Sequence, residues 1–390
     1  MNVEAIQQAL RDENLDGWLF FDHHVRDPLA YRVLGFKPTR IPTRRWYYMI
    51  PANGEPKKLV HRIEAGALDS LPGEKLTYAS WPLQLEGLKT ITAGAKRVAM
   101  QYSKNCDVPY VAMVDAGTVE LVRSIGLEVA SSANLIQHFE ARWSQAKLDS
   151  HIAAGKLVDE IRRTAFEEVG KKLKAGRRLD EYAIKAFIRE AFERASLFTD
   201  HGPIVAVNGN ASNPHYEPEA KGSAEIRKGD LVLIDLWAKL KQPDSVYYDI
   251  TWTGYCGSSA PSDMNNVFDI VKGGRNAGVE KVRNSIESNT PLCGFEVDDA
   301  TRGYIAKHGY GEYFFHRTGH SIGEDVHGTG ANMDNLETHD ERKVVPWTCF
   351  SIEPGIYLPE FGIRSEVNVF VSDKTAGTTG EVQQSLVLVL

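Results

Sequence analysis

Cysteine is scarce in this chain, four in 390 residues, and Cys106, Cys256, Cys293 and Cys349 have none of the paired spacings that build a zinc site. That scarcity excludes a disulfide scaffold and predicts free thiols in a reducing cytoplasm. Long apolar runs are missing as well: the longest are of strand length, far short of the roughly 20 residues a membrane helix needs. The first residues, Met1-Asn-Val-Glu4, lack the basic region and apolar core of a signal peptide. These absences together predict a cytoplasmic protein without membrane association. Positive charge is not in excess either, and a net charge of −7 gives no reason to expect a nucleic-acid partner. No internal sequence repeat is visible. The composition, 42% hydrophobic and 25% charged, is that of a globular chain long enough for two domains with sizeable cores.

Against that background five residues stand out: Asp235, Asp249, His320, Glu353 and Glu366, each in or beside a short apolar run. A lone buried acid is more often a cap or an ion-pair partner than a ligand, and a lone histidine is more often structural. Several carboxylates converging on one point are different, because they repel one another unless cations lie between them. Oxygen-rich ligation with a single imidazole suits Mn²⁺, Zn²⁺, Co²⁺ or Fe²⁺. Two such ions close together make a nucleophile of water at neutral pH.

The acids fall into two hairpin-like pairs. Leu231-Val-Leu-Ile-Asp235 reads as a strand buried on both faces, paired with Val246 to Thr253 across a turn at Gln242-Pro-Asp-Ser245. The second pair is Cys349 to Glu353, stopped by Pro354-Gly355, and a single strand from Ile363 to Val369. In that strand Arg364, Glu366 and Asn368 share a face, which would let the Arg364 guanidinium hold the Glu366 carboxylate in its ionised form. Arg364 reads equally as a simple salt-bridge residue. Helical periodicity precedes each pair, near Leu148 to Leu173 and Asp180 to Arg194, then from about Met264 to Ile286 and Asp298 to Lys307. Helices followed by an acid-bearing hairpin, twice over, predict two structurally similar halves. Between the pairs, Phe315-His-Arg-Thr-Gly-His-Ser-Ile-Gly-Glu-Asp-Val-His327 carries three histidines with glycines between them, which fits a strand or loop passing close to a site better than one helix. The basic run Lys171-Lys172-Leu-Lys174 reads as a solvated helix end.

A smaller α/β domain is predicted before this, over residues 1–145, with the boundary near Ala141 to Leu148. Val3 to Leu10 reads as an amphipathic helix, Gly17 to Phe21, Arg45 to Ile50, Lys58 to Val60 and Arg97 to Met100 as strands, and Val111 to Ile125 as a helix. No catalytic constellation is visible there.

The ordered set Asn-Pro-His215, Leu-Ile-Asp235, Tyr-Asp249-Ile-Thr, His316-Arg-Thr-Gly-His320-Ser-Ile-Gly with His327, Ser-Ile-Glu353-Pro-Gly-Ile-Tyr and Gly-Ile-Arg364-Ser-Glu366 resembles the pita-bread metallopeptidases. That is the family of methionine aminopeptidase, aminopeptidase P, prolidase and creatinase, and the resemblance is to its proline-specific branch. It covers roughly residues 150 to 390. It implies an α/β chain with a carboxy-terminal pita-bread domain, residues 146–390, preceded by a creatinase-type amino-terminal domain. By the same resemblance Asp249 and Glu366 bridge two divalent ions, manganese foremost, Asp235 binds one, and His320 with Glu353 completes the other. Glu353 would also be general base, while His215, His316 and His327 would contact substrate or support the ligands, with His327 steadying the oxyanion and Arg364 contacting substrate. The resemblance implies hydrolysis of Xaa-Pro bonds in small peptides and a homodimer formed through the amino-terminal domain.

Two departures open an alternative, a metal-dependent C–N hydrolase or lyase acting on a non-peptide. The interval from Asp235 to Asp249 is longer than the family pattern, with extra residues in Ala238 to Tyr248, and Trp252 stands where relatives commonly carry arginine. A non-catalytic binding module on the same scaffold is the third reading, opposed by the complete ligand set.

Overall fold

In a computed structural model, which describes residues 2–38 and 40–390, the chain forms two compact units, Met1–Glu140 and Ala141–Leu390.

The first unit is built on six strands, β1 (Gly17–Asp22), β2 (Trp46–Pro51), β3 (Lys57–His61), β4 (Glu74–Tyr78), β5 (Arg97–Met100) and β6 (Glu128–Ser131). They lie in the order β4-β3-β2-β1-β5-β6, and alternate side chains serve two cores. Trp18, Phe20, Trp46 and Tyr48 face α1 (Val3–Asp12) and α2 (Pro28–Leu34). Leu19, Phe21, Tyr47 and Met49 face α3 (Trp81–Ile91) and α4 (Ala116–Ser124). Helix α4 is shorter than the expected Val111 to Ile125. Val114 still donates its backbone N–H to Gln101, and the Asp115 carboxylate caps Thr118, so helix begins only after Asp115. A short helix, α5 (Ala133–Ile136), is followed by a π-helical turn at Gln137–Ala141.

The second unit begins with α6 (Gln145–Lys174) and α7 (Glu181–Arg194), capped by Ser144 and Asp180. Short strands β7 (Leu197–Phe198) and β8 (Ile204–Val207) lead to the hairpin β9 (Leu231–Leu240) and β10 (Tyr248–Tyr255). Then come α8 (Ser262–Glu287) and α9 (Gly294–Lys307). Helix α9 starts before the expected Asp298, because the Glu296 carboxylate accepts the Cys293 N–H at 2.8 Å and closes a capping box. The remaining strands are β11 (Ser321–Ile322), β12 (Thr348–Ile352), β13 (Gly355–Tyr357), β14 (Gly362–Arg364), β15 (Val367–Val371), β16 (Ala376–Thr379) and β17 (Val387–Leu388). The expected single strand Ile363 to Val369 is therefore two. Residues 362–364 pair with β13 and 367–371 with β12, so the chain changes partner at Ser365-Glu366.

Two larger sheets result, β17-β10-β9-β7 with β8 beside β9, and β11-β12-β15-β16, alongside the two-stranded β13-β14. Strand alternation decides what each face carries. Val232, Ile234, Leu236 and Ala238 of β9 pack on Val158, Ile161 and Ala165 of α6. Phe350, Ile352, Val367 and Val369 pack on Val279 and Val282 of α8 and Val297 of α9. The opposite faces share one core, with Leu233 and Trp237 from the first sheet and Cys349 and Phe370 from the second. Each sheet thus has helices outside and its acids inside, which is the pita-bread arrangement of two similar halves. No helix among the described residues is long and apolar enough to cross a membrane.

Candidate metal centre

In the β9–β10 ladder Asp235 lies opposite Thr251 and Asp249 opposite Trp237, so all four side chains share the inner face. Glu353 and Glu366 each sit one residue beyond the β12–β15 ladder, which ends at Ile352 and Val367. The two sheets are stitched together at this level. Asn368 donates its amide to the Asp249 carbonyl at 2.8 Å and accepts the Asp249 N–H at 3.2 Å, and Glu366 N–H donates to the Thr251 carbonyl at 3.1 Å.

Gly319 brings in the imidazole. A Cβ there would come within 1.9 Å of the Ser351 carbonyl oxygen, so only glycine lets this segment lie against β12. His320 then exchanges backbone and side-chain bonds with Ser351, whose hydroxyl accepts the His320 N–H at 2.9 Å and donates to Glu353 Oε1 at 3.0 Å. The His320 Nδ1–H donates to the Ser321 carbonyl at 3.2 Å, which leaves Nε2 facing Asp249 Oδ2 at 3.4 Å and Glu353 Oε1 at 3.5 Å.

Ligand atoms of Asp249, His320 and Glu366 lie within 4.8 Å of one another, all buried. Asp249 Oδ1 and Glu366 Oε1 are buried without a hydrogen-bond partner, in a class of atom that is nearly always satisfied. Burial, then the neighbouring Glu353 charge, holds Asp249 above the usual carboxylate range against the pull of His320. Burial followed by Asp249, Glu353 and Asp235 lifts Glu366 well above it. Asp235 is pushed up to about 7, mainly by burial, although Arg364 pulls the other way. Burial alone would lower His320, but the bond to Asp249 and the Glu353 charge raise it. Lone pairs, unpartnered oxygens and like charges converging on one point fit a divalent cation, whose bonds to such donors are about 2.0–2.2 Å long.

A pH dependence follows for the chelated protein. Folded carboxyls with raised pKa keep protons that the unfolded chain releases above its own values of about 4. Their contribution to stability is therefore lost as pH rises from about 4.5 through 7, and His320, also raised, acts in the same direction. The melting temperature in chelator should be lower at pH 7.5 than at pH 5.5, and divalent metal should restore it at the higher pH. A chelated protein that is more stable at pH 7.5 would contradict this account of the cluster.

Arg364 does not serve Glu366 directly. Its Nη2 donates to Asp235 Oδ2 at 2.6 Å, Nε to the Thr251 hydroxyl at 3.1 Å and Nη1 to the Tyr357 hydroxyl at 3.2 Å. The Thr251 hydroxyl in turn donates to Glu366 Oε2 at 2.7 Å. The reach is indirect because the strand breaks at Ser365, which turns the two side chains apart. Tyr357 donates to His316 Nε2 at 2.6 Å while His316 Nδ1–H donates to the Arg317 carbonyl at 2.7 Å, so both nitrogens of His316 are engaged. Burial pushes its pKa down to about 4, consistent with that neutral ring. His327 stands edge-on to His320, centroids 4.3 Å apart, and is exposed. His215 is exposed on its loop, and its side chain makes no hydrogen bond to the cluster; its backbone N–H bonds Asn213 Oδ1 at 3.1 Å. The structure thus gathers the five acid and imidazole residues with His327 and supports them through Arg364.

Thr251, Ser351, Tyr357 and Asn368 were not singled out from sequence. Their signal was position: Thr251 and Ser351 each lie two residues from a ligand on the same strand face, and Asn368 two from Glu366. Trp252, by contrast, points the other way. It lies on the α6 side of β10, with the Arg162 guanidinium 3.5 Å from its ring centroid, and does not border the carboxylates. The longer hairpin does reach the site's surroundings, since Tyr247 N–H donates to the Gly323 carbonyl at 2.9 Å and Lys239 to that of Glu324 at 2.5 Å.

Comparison with known proteins agrees with this geometry. A putative Xaa-Pro aminopeptidase of Mycoplasma pneumoniae is 29% identical over 257 residues, 63% of this chain and 65% of that protein. An Xaa-Pro dipeptidase of Pyrococcus horikoshii is 30% identical over 239 residues, 60% of this chain and 61% of that protein. Each alignment therefore spans less than two thirds of the relative. The fold of the prolidase from Thermococcus sibiricus matches with a TM-score of 0.61 at 24% identity, covering 99% of this chain and 98% of that one. The family model for metallopeptidase family M24 matches residues 152–373, more than half the chain and every residue of the cluster, and the chain accordingly belongs to metallopeptidase family M24.

Proposed function

We propose that this protein hydrolyses the amide bond before proline in small peptides, with two divalent ions held by Asp235, Asp249, His320, Glu353 and Glu366. The observation that carries the reading is the pair of buried, unpartnered oxygens on Asp249 and Glu366 beside His320, in a metallopeptidase fold. The oxygen-rich donor set favours manganese over zinc, cobalt or iron. When bound, the ions would lower the pKa of water and polarise the scissile carbonyl.

The chain's own residues supply the rest. Glu353 takes the proton of the attacking water and passes it to the leaving nitrogen. Burial raises its pKa, but His320 and then His316, Arg364 and Arg317 together lower it, so it is ionised and ready to accept. Ser351, donating to Glu353 Oε1, fixes which oxygen is free. His327, exposed and beside His320, donates to the oxyanion, and His316 acts through Tyr357 rather than through a free nitrogen. Arg364 holds Asp235 and, through Thr251, Glu366.

The names of the relatives supply the preference for proline. A proline nitrogen carries no N–H and fixes φ, so a site shaped for it should favour Xaa-Pro over the matching Xaa-Ala dipeptide in kcat/KM. Equal rates on both by metal-loaded enzyme would overturn the proline reading. The non-peptide alternative loses the part of its support that rested on Trp252, which faces α6. We also place the protein in the cytoplasm on its free cysteines, and as a homodimer through residues 1–145, the amino-terminal domain, by likeness to the family.

A further inference from the structure

The inner face that carries the acids also carries Trp237, and what it holds has no part in the chemistry above. Trp237 lies directly opposite Asp249, where Cβ atoms are about 4.5–5.5 Å apart. Its indole Nε1–H donates to Asp200 Oδ1 at 2.9 Å. The loop carrying Asp200 closes on the ring: at Gly202, with φ +71°, a Cβ would come within 2.5 Å of the indole, so glycine is required on both counts. His201 stands edge-on to the same ring at 5.0 Å, and its backbone N–H donates to the same Asp200 oxygen at 3.0 Å.

Two donors thus pin Oδ1 and leave Oδ2 without a hydrogen bond among the described residues. The Asp200 side chain is 44% exposed, and it pairs with His201, with Nδ1 at 3.1 Å from Oδ1. No lysine or arginine among the described residues pairs with it. Its burial is outweighed by the indole bond and His201, so it stays ionised. Its charge acts on both His327 and Tyr247, so it lies near the side of the cluster where His327 stands.

We propose that Asp200 is a specificity-determining residue that selects substrates with a cationic side chain, lysine or arginine, on the residue before the scissile bond. The α-ammonium of that residue is too close to the scissile carbonyl to serve, since it must stay at the metal cluster. Asp200 lies an indole's length beyond Asp249, at the reach of a long side chain. This rests on the Xaa-Pro reading.

The test compares kcat/KM for Lys-Pro, norleucine-Pro and Glu-Pro in the metal-loaded wild type, Asp200→Asn and Asp200→Lys. The asparagine keeps an oxygen for the indole and removes the charge. Wild type should prefer Lys-Pro to norleucine-Pro by about fivefold, the size of one partly exposed ion pair, and the preference should shrink with added salt. Asp200→Asn should bring that ratio to near one, and Asp200→Lys should turn it toward Glu-Pro. A purely structural role would change all three substrates together and leave the ratio in place. A ratio unmoved by either substitution overturns the role of Asp200 alone, whereas no hydrolysis of any of the three overturns the Xaa-Pro reading and this inference with it.

Discussion

Glu353→Gln should lower kcat by about 10²- to 10⁴-fold, the range that general acid–base catalysis supplies, while the folded protein still binds metal. Glutamine keeps the length of the side chain and one ligating oxygen, and it can still accept the Ser351 hydroxyl bond. What it loses is the capacity to take a proton, so binding and chemistry separate. Metal content measured on the purified variant, beside its kcat on an Xaa-Pro dipeptide, makes that separation visible. His327→Ala should cost less, at most about 10²- to 10³-fold for one oxyanion donor, because His327 has no bond to the carboxylates. If Glu353→Gln turned over normally and His327→Ala did not, the two roles would have to be exchanged.

Asp249→Asn should lower metal content and activity together. Asp249 contributes an oxygen facing His320 and another with no partner in the protein, and a neutral amide is a poor ligand for a hard cation at either position. Loss of a residue that only supports a ligand costs about 10- to 100-fold in metal affinity or activity, so loss of the ligand itself should exceed the upper end. The substitution has a second, opposite consequence. Removing one of several repelling carboxylates relieves the metal-free fold, so chelated Asp249→Asn should melt above chelated wild type at pH 7.5. The gain in melting temperature that metal gives the wild type should be largely absent. Full occupancy with normal turnover, measured by metal analysis and rate, would sink the assignment of Asp249 as a ligand.

Much of this was legible in the chain because it depends on local periodicity. Leu231 to Asp235 reads as a buried strand since every residue in it is apolar up to the acid, and α6 covers one face while the inner core covers the other. The helices α6, α7 and α8 follow from 3.6-residue spacing and from caps such as Asp180. Strand breaks were less legible. Ile363 to Val369 alternates without interruption, and only pairing with two different partners divides it at Ser365-Glu366. The start of α4 depends on bonds that Met113 and Val114 make to Gln101, beyond the reach of helical spacing.

The sequence by itself determined most of the elements, the acids and histidine that converge, and the family whose motifs they spell, because each is a matter of residue type at short spacing. Only the tertiary structure decided who holds whom. It gave Arg364 to Asp235 instead of Glu366, turned Trp252 toward α6, occupied both nitrogens of His316 and set Asp200 against Trp237. The physical reason is common to all of these. A side chain's partner depends on which face of a strand it leaves and what another segment, often more than a hundred residues distant, presents there, and spacing along one strand carries no record of the other.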